Sequence, residues 1–236
     1  MQVRIIPVPF GFREWNPYAR LFHSLIDTHP TPRRQDVDTF DAIYQRRAVK
    51  HFDADHRMPE ADLTKLLEAA IQAPTSFNIQ HWRFVVIKDP ELRKQIRANG
   101  NDQAQMTDAS VLIVMTGDVK AWQKDPDRYW KNAPDEVREL LVGWMGPFHE
   151  GREWLQRDEA QRSIGMAMQT LMLAAKATGY DSCPMIGFDI DAVAKLINLP
   201  DDHCMGPMVA IGKKTQDVWP KPGQLPLSEV VVTDRF

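Results

Sequence analysis

The sequence predicts an α/β or α+β fold, a sheet covered by helices. Two observations predict it. Segments with helical apolar spacing alternate along the 236 residues with short apolar runs of strand length. The most apolar of those runs, "VLIVM" at 111–115, suits a buried strand and is far too short to span a bilayer.

Residues 1–36 hold several prolines, scattered aromatics and little periodicity. They read as an irregular arm with one short helix around "PYARLFHSLI", ahead of a single domain over 37–236. "DTFDAIYQRRAVKHF" predicts a short helix ending near Arg47. Pro59 suits a first helical position, with Glu60 and Asp62 facing the positive end of the helix dipole. Leu63, Leu66, Leu67, Ala70 and Ile71 then follow the i, i+3, i+4, i+7, i+8 pattern of one helix face. "RFVVIK" at 83–88 predicts a strand, "PELRKQIRA" a helix and "SVLIVMTGD" at 110–118 a buried strand. Residues 121–158 are rich in Trp and charge and read as a helical lid or insert. "QRSIGMAMQTLMLAAKATG" predicts a long apolar helix stopped by Gly179 just past its end. That helix carries Met166, Met168, Leu171, Met172 and Leu173 around much of its circumference, more than one buried face needs. A two-fold dimer would bury the surplus. A short segment "YDSCPMIGF" follows, then a helix "DIDAVAKLIN", a strand "PMVAIG" and, after a proline-rich loop, a final strand "EVVVTD".

Composition removes several function classes. The net charge is −3 and no Lys/Arg block is long enough to follow a phosphate backbone, so nucleic acid is not an expected partner. No segment is apolar enough for a membrane, and the N-terminus lacks a signal-peptide core with a small-residue cleavage site. Two cysteines, Cys183 and Cys204, exclude a disulfide scaffold and suit a reducing cytoplasm. They lack zinc spacing with His203, so no metal is expected. Neither G-x-G-x-x-G nor G-x-x-x-x-G-K-[ST] occurs.

Two polar clusters remain. "QRRAVKHF" gathers Arg46, Arg47 and Lys50 within five residues. It is either a solvated helix end that complements the dipole, or an anion site. "QAPTSFNIQHW" gathers Thr75, Ser76, Asn78 and Gln80 in a turn between Pro74 and Trp82. On its own the turn is a self-bonded link from helix to strand.

Together, "RRAVKHF" and "LTKLLEAAIQAPTSFNIQHWRFVVI" resemble the opening signature of the FMN-dependent nitroreductase family. That signature runs Arg-Arg/His-Ser-x-Arg/Lys-x-Phe, a helix, then Ala-Pro-Ser-Ser/Ala-x-Asn-x-Gln-Pro-Trp. "GMAMQTLMLAAKATGYDSCPMIGFD" is similar to the family's central helix and its Gly-Phe-Asp flavin loop, and "MVAIGKK…PLSEVV" to its last strand and tail. The resemblance spans roughly residues 38–232. It implies an α+β fold, with a mostly antiparallel mixed sheet flanked by helices, and a homodimer with FMN at the subunit interface. It implies that Arg46, Arg47, Ala48 and Lys50 meet the FMN phosphate, although Ala48 stands where the family commonly has Ser. Pro74, Thr75, Ser76 and Asn78 would reach the flavin from the other subunit, while Gln80 and Trp82 hold the turn against the sheet. His81 replaces the usual Pro, which should loosen that turn. Pro184, Met185, Ile186 and Gly187 align with the loop whose backbone N–H faces the ring. Gln103 aligns near the residue bonding the pyrimidine edge. Lys221, with Gln224 second, aligns with the tail's phosphate partner. Phe77, Trp130, Trp144, Phe148 and Trp154 are either walls for a planar acceptor or ordinary packing. No residue need titrate in the chemistry, so no catalytic residue is named. The implied activity is NADH- or NADPH-driven reduction of nitroaromatics, quinones or similar planar acceptors. Two rivals share these residues: a specialised flavin enzyme for reductive dehalogenation or metabolite dehydrogenation, and a non-catalytic flavin-binding protein.

Overall fold

The computed structural model describes residues 37–236. Four strands, β1 (Trp82–Ile87), β2 (Val111–Asp118), β3 (Asp181–Met185) and β4 (His203–Gly212), form a sheet in the order β1-β2-β4-β3. All three ladders are antiparallel. The expected α+β class holds, and the parallel part of the sheet reduces to a single bridge between Ala48 and Ser182.

All eight residues of β2 are buried, because it has a neighbour on each edge and helices over each face. Val111, Ile113 and Met115 join one apolar cluster, while Leu112 and Val114 join the other. Alternation along a strand sends successive side chains to opposite faces, so a strand covered on both must be apolar throughout. The first face is covered by α2 (Glu60–Ala70) and α6 (Glu153–Ala177), through Leu63, Leu66, Ile164, Ala167 and Leu171. The second is covered by α3 (Pro90–Ala98), α4 (Gln105–Asp108) and α7 (Ile190–Leu196), through Ile96, Met106 and Val193. A smaller cluster of Ile79, Ala121, Tyr129 and Met145 lies under α5 (Asp135–His149).

Most elements match the sequence within a residue or two. Pro59 caps α2 from just outside it instead of opening it. Asp89 and Asp189 cap α3 and α7, each accepting from a backbone N–H of the first turn. The long helix begins eight residues before the expected Gln161, at Glu153. Leu155 and Ala160 extend its buried stripe, and Gln156 ties it to the end of α5 by donating to His149 O at 2.8 Å. Gly179 ends it at φ 79°, with Gly179 N–H donating to Lys176 O and Tyr180 N–H to Ala175 O. That pair of bonds is the Schellman arrangement.

One expected strand does not form. "EVVVTD" is replaced by one helical turn, α8 (Leu227–Val230), and an irregular tail with Val230, Val231 and Val232 exposed. A strand needs a ladder partner, and among the described residues the tail has none. The short helix expected around "PYARLFHSLI" lies outside the described residues. The helix α1 (Thr39–Gln45) ends just before Arg46, as expected.

The β2–β4 ladder shifts register between Val114, opposite Met208, and Thr116, opposite Met205. Gly206 and Pro207 both face Met115 there, the two-against-one count of a bulge. A Cβ on Gly206 would come within 2.8 Å of Ile164 Cγ2 and 2.9 Å of the Met115 carbonyl oxygen. Neither neighbour can swing away. Gly206→Ala should therefore destabilise the fold by ~1–3 kcal/mol, the usual cost of overpacking, read as a lower urea midpoint with unchanged slope. A wild-type midpoint would show that α6 can give way.

Candidate functional site

Arg46 and Arg47 follow α1, and the next residues run beside β3: Ala48 bridges to Ser182, and Val49 N–H donates to Ser182 O at 3.0 Å. Arg47 turns back, donating to Tyr44 O at 2.6 Å and Arg46 O at 3.0 Å, so it closes its own helix end. The side chains of Arg46 and Lys50 have no hydrogen bond or ion pair among the described residues. Both act on Cys183 of β3: burial pushes that thiol up, while Lys50, a bond from Gln105, and Arg46 pull it back down.

Gln105 links this charged edge to the loop after β3. Its Nε2 donates to Gln103 Oε1 at 2.9 Å and lies 4.0 Å from Cys183 Sγ. Gln103 Nε2 in turn donates to Gly187 O at 2.9 Å and Gly100 O at 3.0 Å. Asn101 Nδ2 donates to the same Gly187 O at 3.0 Å. One amide hydrogen of Gln103 is thus spent on the 186–187 loop and the other on its own turn at Gly100, so its role here is to position that loop, not to offer a bond outward. The loop itself is open: Ile186 is 74% exposed, and neither Ile186 nor Gly187 donates its backbone N–H among the described residues. Pro184 and Met185 are strand residues opposite Val209 and Met208, and the Met185 side chain is buried in the second core. Lys221 and Gln224 lie on the irregular stretch after β4, with no bond to Arg46 or Lys50 among the described residues.

The polar turn is built differently. Asn78 N–H donates to Thr75 O, Ile79 N–H to Ser76 O, and Gln80 N–H to Thr75 Oγ1 at 3.1 Å. Phe77, Asn78 and Gln80 take φ of 50°, 55° and 54°, a region that costs L-residues energy. The strain is held from outside the turn. Asn78 Nδ2 donates to Tyr129 O at 2.7 Å, and Trp130 Nε1 to Phe77 O at 3.0 Å. Phe77 packs on Phe148 with ring centroids 5.2 Å apart and on His149 at 5.9 Å. Three of the expected pocket aromatics therefore meet around the turn, whereas Trp144 and Trp154 stand exposed on α5 and α6. Pro74 borders a shallow groove with Gly165, Met166 and Thr170 of α6.

His81 does not loosen this turn; it fastens it. Its ring is fully buried, with Nδ1 3.1 Å from Ser163 Oγ. Ser163 spends its own proton on Glu159 O at 2.7 Å, so His81 Nδ1 is the donor. His81 O accepts from Asp118 N at 2.8 Å, and Arg83 Nη1 donates to Gln80 O at 3.0 Å. His149, also fully buried, donates Nδ1–H to Met145 O at 2.8 Å and stacks on Trp122 at 5.5 Å. Both Nε2 atoms are buried acceptors without a partner among the described residues. Asn101, Gln105, Ser163 and His149 were not singled out in the sequence. The available signal was the "NGND" turn at 99–102, where Asn101 and Asp102 take φ of 54° and 51°.

The two clusters do not meet in one chain. β1 and β3 are the opposite edges of the sheet, three strand spacings or roughly 14 Å apart. The turn enters β1 and the 186–187 loop leaves β3, at the same end of the sheet. At that end Asp118, Asp202 and His203 also cluster, but Lys124 Nζ lies 2.8 Å from Asp118 and 2.5 Å from Asp202, making the group an ion-pair knot.

A model of the Nitroreductase family matches residues 43–213. Protein DrgA of Synechocystis sp. is 64% identical over 200 residues, covering 83% of this chain and 95% of that protein. MhqN of Bacillus subtilis (strain 168), provisionally named an NAD(P)H nitroreductase, is 32% identical over 200 residues, covering 80% and 95%. A solved structure from Exiguobacterium sibiricum in complex with FMN superposes with a TM-score of 0.77 at 26% identity, covering 83% and 96%. The chain belongs to the nitroreductase family.

The His81 ring sets an acid limit. Burial, then His149, with Arg83 adding and Asp118 opposing, holds its pKa at about 4 against an ordinary 6.5. The folded state favours the neutral ring, so its contribution is complete above the ordinary value and is lost as pH falls from 6.5 towards 4. The loss should reach ~3 kcal/mol. His81→Asn, which keeps a donor near Ser163 but cannot take up the proton, should show a flatter fall of Tm with acid. Parallel acid limbs in the two proteins would reject the assignment.

Proposed function

We propose that this nitroreductase-family chain is an FMN-dependent NAD(P)H oxidoreductase. It acts as a homodimer and reduces small planar acceptors, nitroaromatics and quinones among them, by ping-pong turnover. One observation carries the reading: Arg46 and Lys50, two cations without carboxylate partners among the described residues, share a sheet edge with a loop whose backbone N–H groups are unspent among those residues. The FMN held by the Exiguobacterium relative and the nicotinamide in the name of MhqN agree with it.

The residues present suit the cofactor. A phosphate of about −2 is matched by Arg46 and Lys50 as fork and point charge, with Lys221 or Gln224 on the tail as a further partner. Gln103 and Asn101 hold Gly187 O, which steadies the loop, and the backbone N–H groups of Ile186 and Gly187 have no acceptor among the described residues. Donors fixed in advance stabilise charge that develops beside them without reorganisation. When bound, FMN supplies hydride acceptance from NADH or NADPH and delivery to the acceptor. Phe77 and Phe148 present aromatic surface beside the turn, which suits a flat acceptor.

The opposite edges support a homodimer. Thr75, Ser76 and Asn78 would reach a flavin held at the β3 edge from a second chain. The groove at Pro74 and α6, with the exposed Trp219, Leu225 and Val231 of the tail, offers the apolar surface such a partner would cover. Both cysteines are free, which suits a reducing cytoplasm.

Two experiments test the reading. The purified protein should bind FMN one per chain and oxidise NADH or NADPH in the presence of a quinone; a protein that refuses FMN under native conditions refutes it. Arg46→Glu and Ser76→Trp should each be inactive as homodimers. Mixed by unfolding and refolding, they should recover about a quarter of wild-type activity, because half of randomly paired dimers then carry one intact site of two. No recovery would mean that each turn serves its own chain.

A further inference from the structure

A second concentration of positive charge lies elsewhere on the sheet. A cleft of about 420 Å³ opens at the far end of β1, where Arg57, Lys88, Arg93 and Lys94 converge. The polar turn is at the other end of β1, roughly 20 Å away for a six-residue strand. The cleft is therefore distinct from the turn and from the β3 edge that carries Arg46 and Lys50.

Lys88 and Lys94 are paired, with Glu60 at 3.0 Å and Glu91 at 2.7 Å. Glu60 is the one carboxylate that lines the cleft among the described residues, and Lys88 occupies it. The two guanidiniums have no carboxylate partner among the described residues. Arg93 donates Nε to Ile87 O at 2.9 Å, Nη1 to Ala109 O at 2.6 Å and Nη2 to Ser110 O at 3.1 Å. Among the described residues Arg57 donates only through Nη1, to Ala54 O and to His56 O. A guanidinium carries five N–H groups, so two remain on Arg93 and three on Arg57. Burial, then the field of Arg57, holds Arg93 below its ordinary range. Clamping three carbonyls accounts for Arg93 by itself. It does not account for Arg57, an exposed guanidinium lining the same cleft, whose field adds to the positive charge there with no carboxylate partner among the described residues.

We propose that this cleft is a binding site for a small phosphoryl anion, a phosphate ester or a pyrophosphate, held by the unspent N–H groups of Arg57 and Arg93. Paired guanidiniums match phosphoryl oxygens with two parallel bonds each, and such charge-assisted bonds are the strong ones. The volume is more than ten times the ~30 Å³ share of one water, so it admits a second phosphoryl group or a small organic moiety beside the first. The site goes beyond the flavin reading and does not depend on it.

The test is calorimetric titration of pyrophosphate into protein saturated with FMN, at constant ionic strength, so that the flavin phosphate site is filled. Wild type should bind one pyrophosphate per chain saturably. Arg57→Gln removes a charge from an exposed side chain and leaves the Arg93 clamp in place. It should weaken binding about 10- to 100-fold, as expected for losing charged hydrogen bonds of ~1.5–3 kcal/mol. Arg46→Gln should leave the affinity unchanged. Citrate, which carries negative charge on carboxylates, should bind more weakly than pyrophosphate. The proposal falls if no saturable binding appears up to tens of millimolar, or if Arg57→Gln binds as wild type. It falls equally if the loss follows Arg46→Gln instead, or if citrate matches pyrophosphate. Pyrophosphate should also raise the Tm of the wild type and not of Arg57→Gln, and an Arg57→Gln protein with a lowered Tm before any addition is checked by Arg57→Lys, which should bind pyrophosphate better than the Gln variant.

Discussion

The organisation of this chain depends on β2 being buried on both faces. Its eight residues carry no exposed side chain, so each face needs helices and each edge needs a strand. α2 and α6 answer the first face, α3 and α7 the second. β1 and β4 answer the edges, and β3 extends the sheet beyond β4. What remains open is set by this demand. The sheet has two outer strands, β1 and β3; each carries one of the two polar clusters, and the turn before β1 and the 186–187 loop after β3 lie at the same end.

The two half-sites are stiffened in different ways. On the β3 edge, amide side chains do the work: Gln105, Gln103 and Asn101 form a line of bonds from Cys183 to Gly187 O. A carbonyl held by two donors fixes the peptide planes beside it, so the loop can be exposed without being loose. On the β1 edge, backbone strain is balanced by packing. Phe77 and Asn78 keep positive φ because Tyr129, Trp130, Phe148 and His149 grip them, and Gln80 because Thr75 Oγ1 and Arg83 hold its backbone. His81 ties the end of the same turn to α6 through Ser163. The aromatic residues of the 121–158 stretch thus have a structural duty as well as a place beside the proposed acceptor.

Much of the fold was legible in the sequence, and the reason differs by element. α3 matched from Pro90 to Ala98 because a proline at its start and an Asp cap mark that end unambiguously. Gly179 marked the end of α6 because only a glycine takes that left-handed position cheaply. The start of α6 was not legible, since its extra turns are mostly polar outside Leu155 and Ala160 and their burial depends on α5 and the β2 end. The tail shows the limit in the other direction: "EVVVTD" has strand propensity, but propensity does not supply a neighbour.

By itself, the sequence determined the fold class, most of the order of the elements and the residue types of both polar clusters. These follow from local rules of periodicity, caps and charge, which are written along the chain. Only the tertiary structure decided what those residues do. Arg47 spends its donors on its own helix end and Gln103 on Gly100 and Gly187, while the side chains of Arg46 and Lys50 keep theirs among the described residues. His81 fastens a turn instead of loosening it, because its partner Ser163 is 82 positions away. The separation of the turn from the β3 edge is likewise a matter of strand order, which no local pattern encodes. Hydrogen-bond partners distant in sequence are chosen by packing, and packing is a property of the whole sheet and its helices.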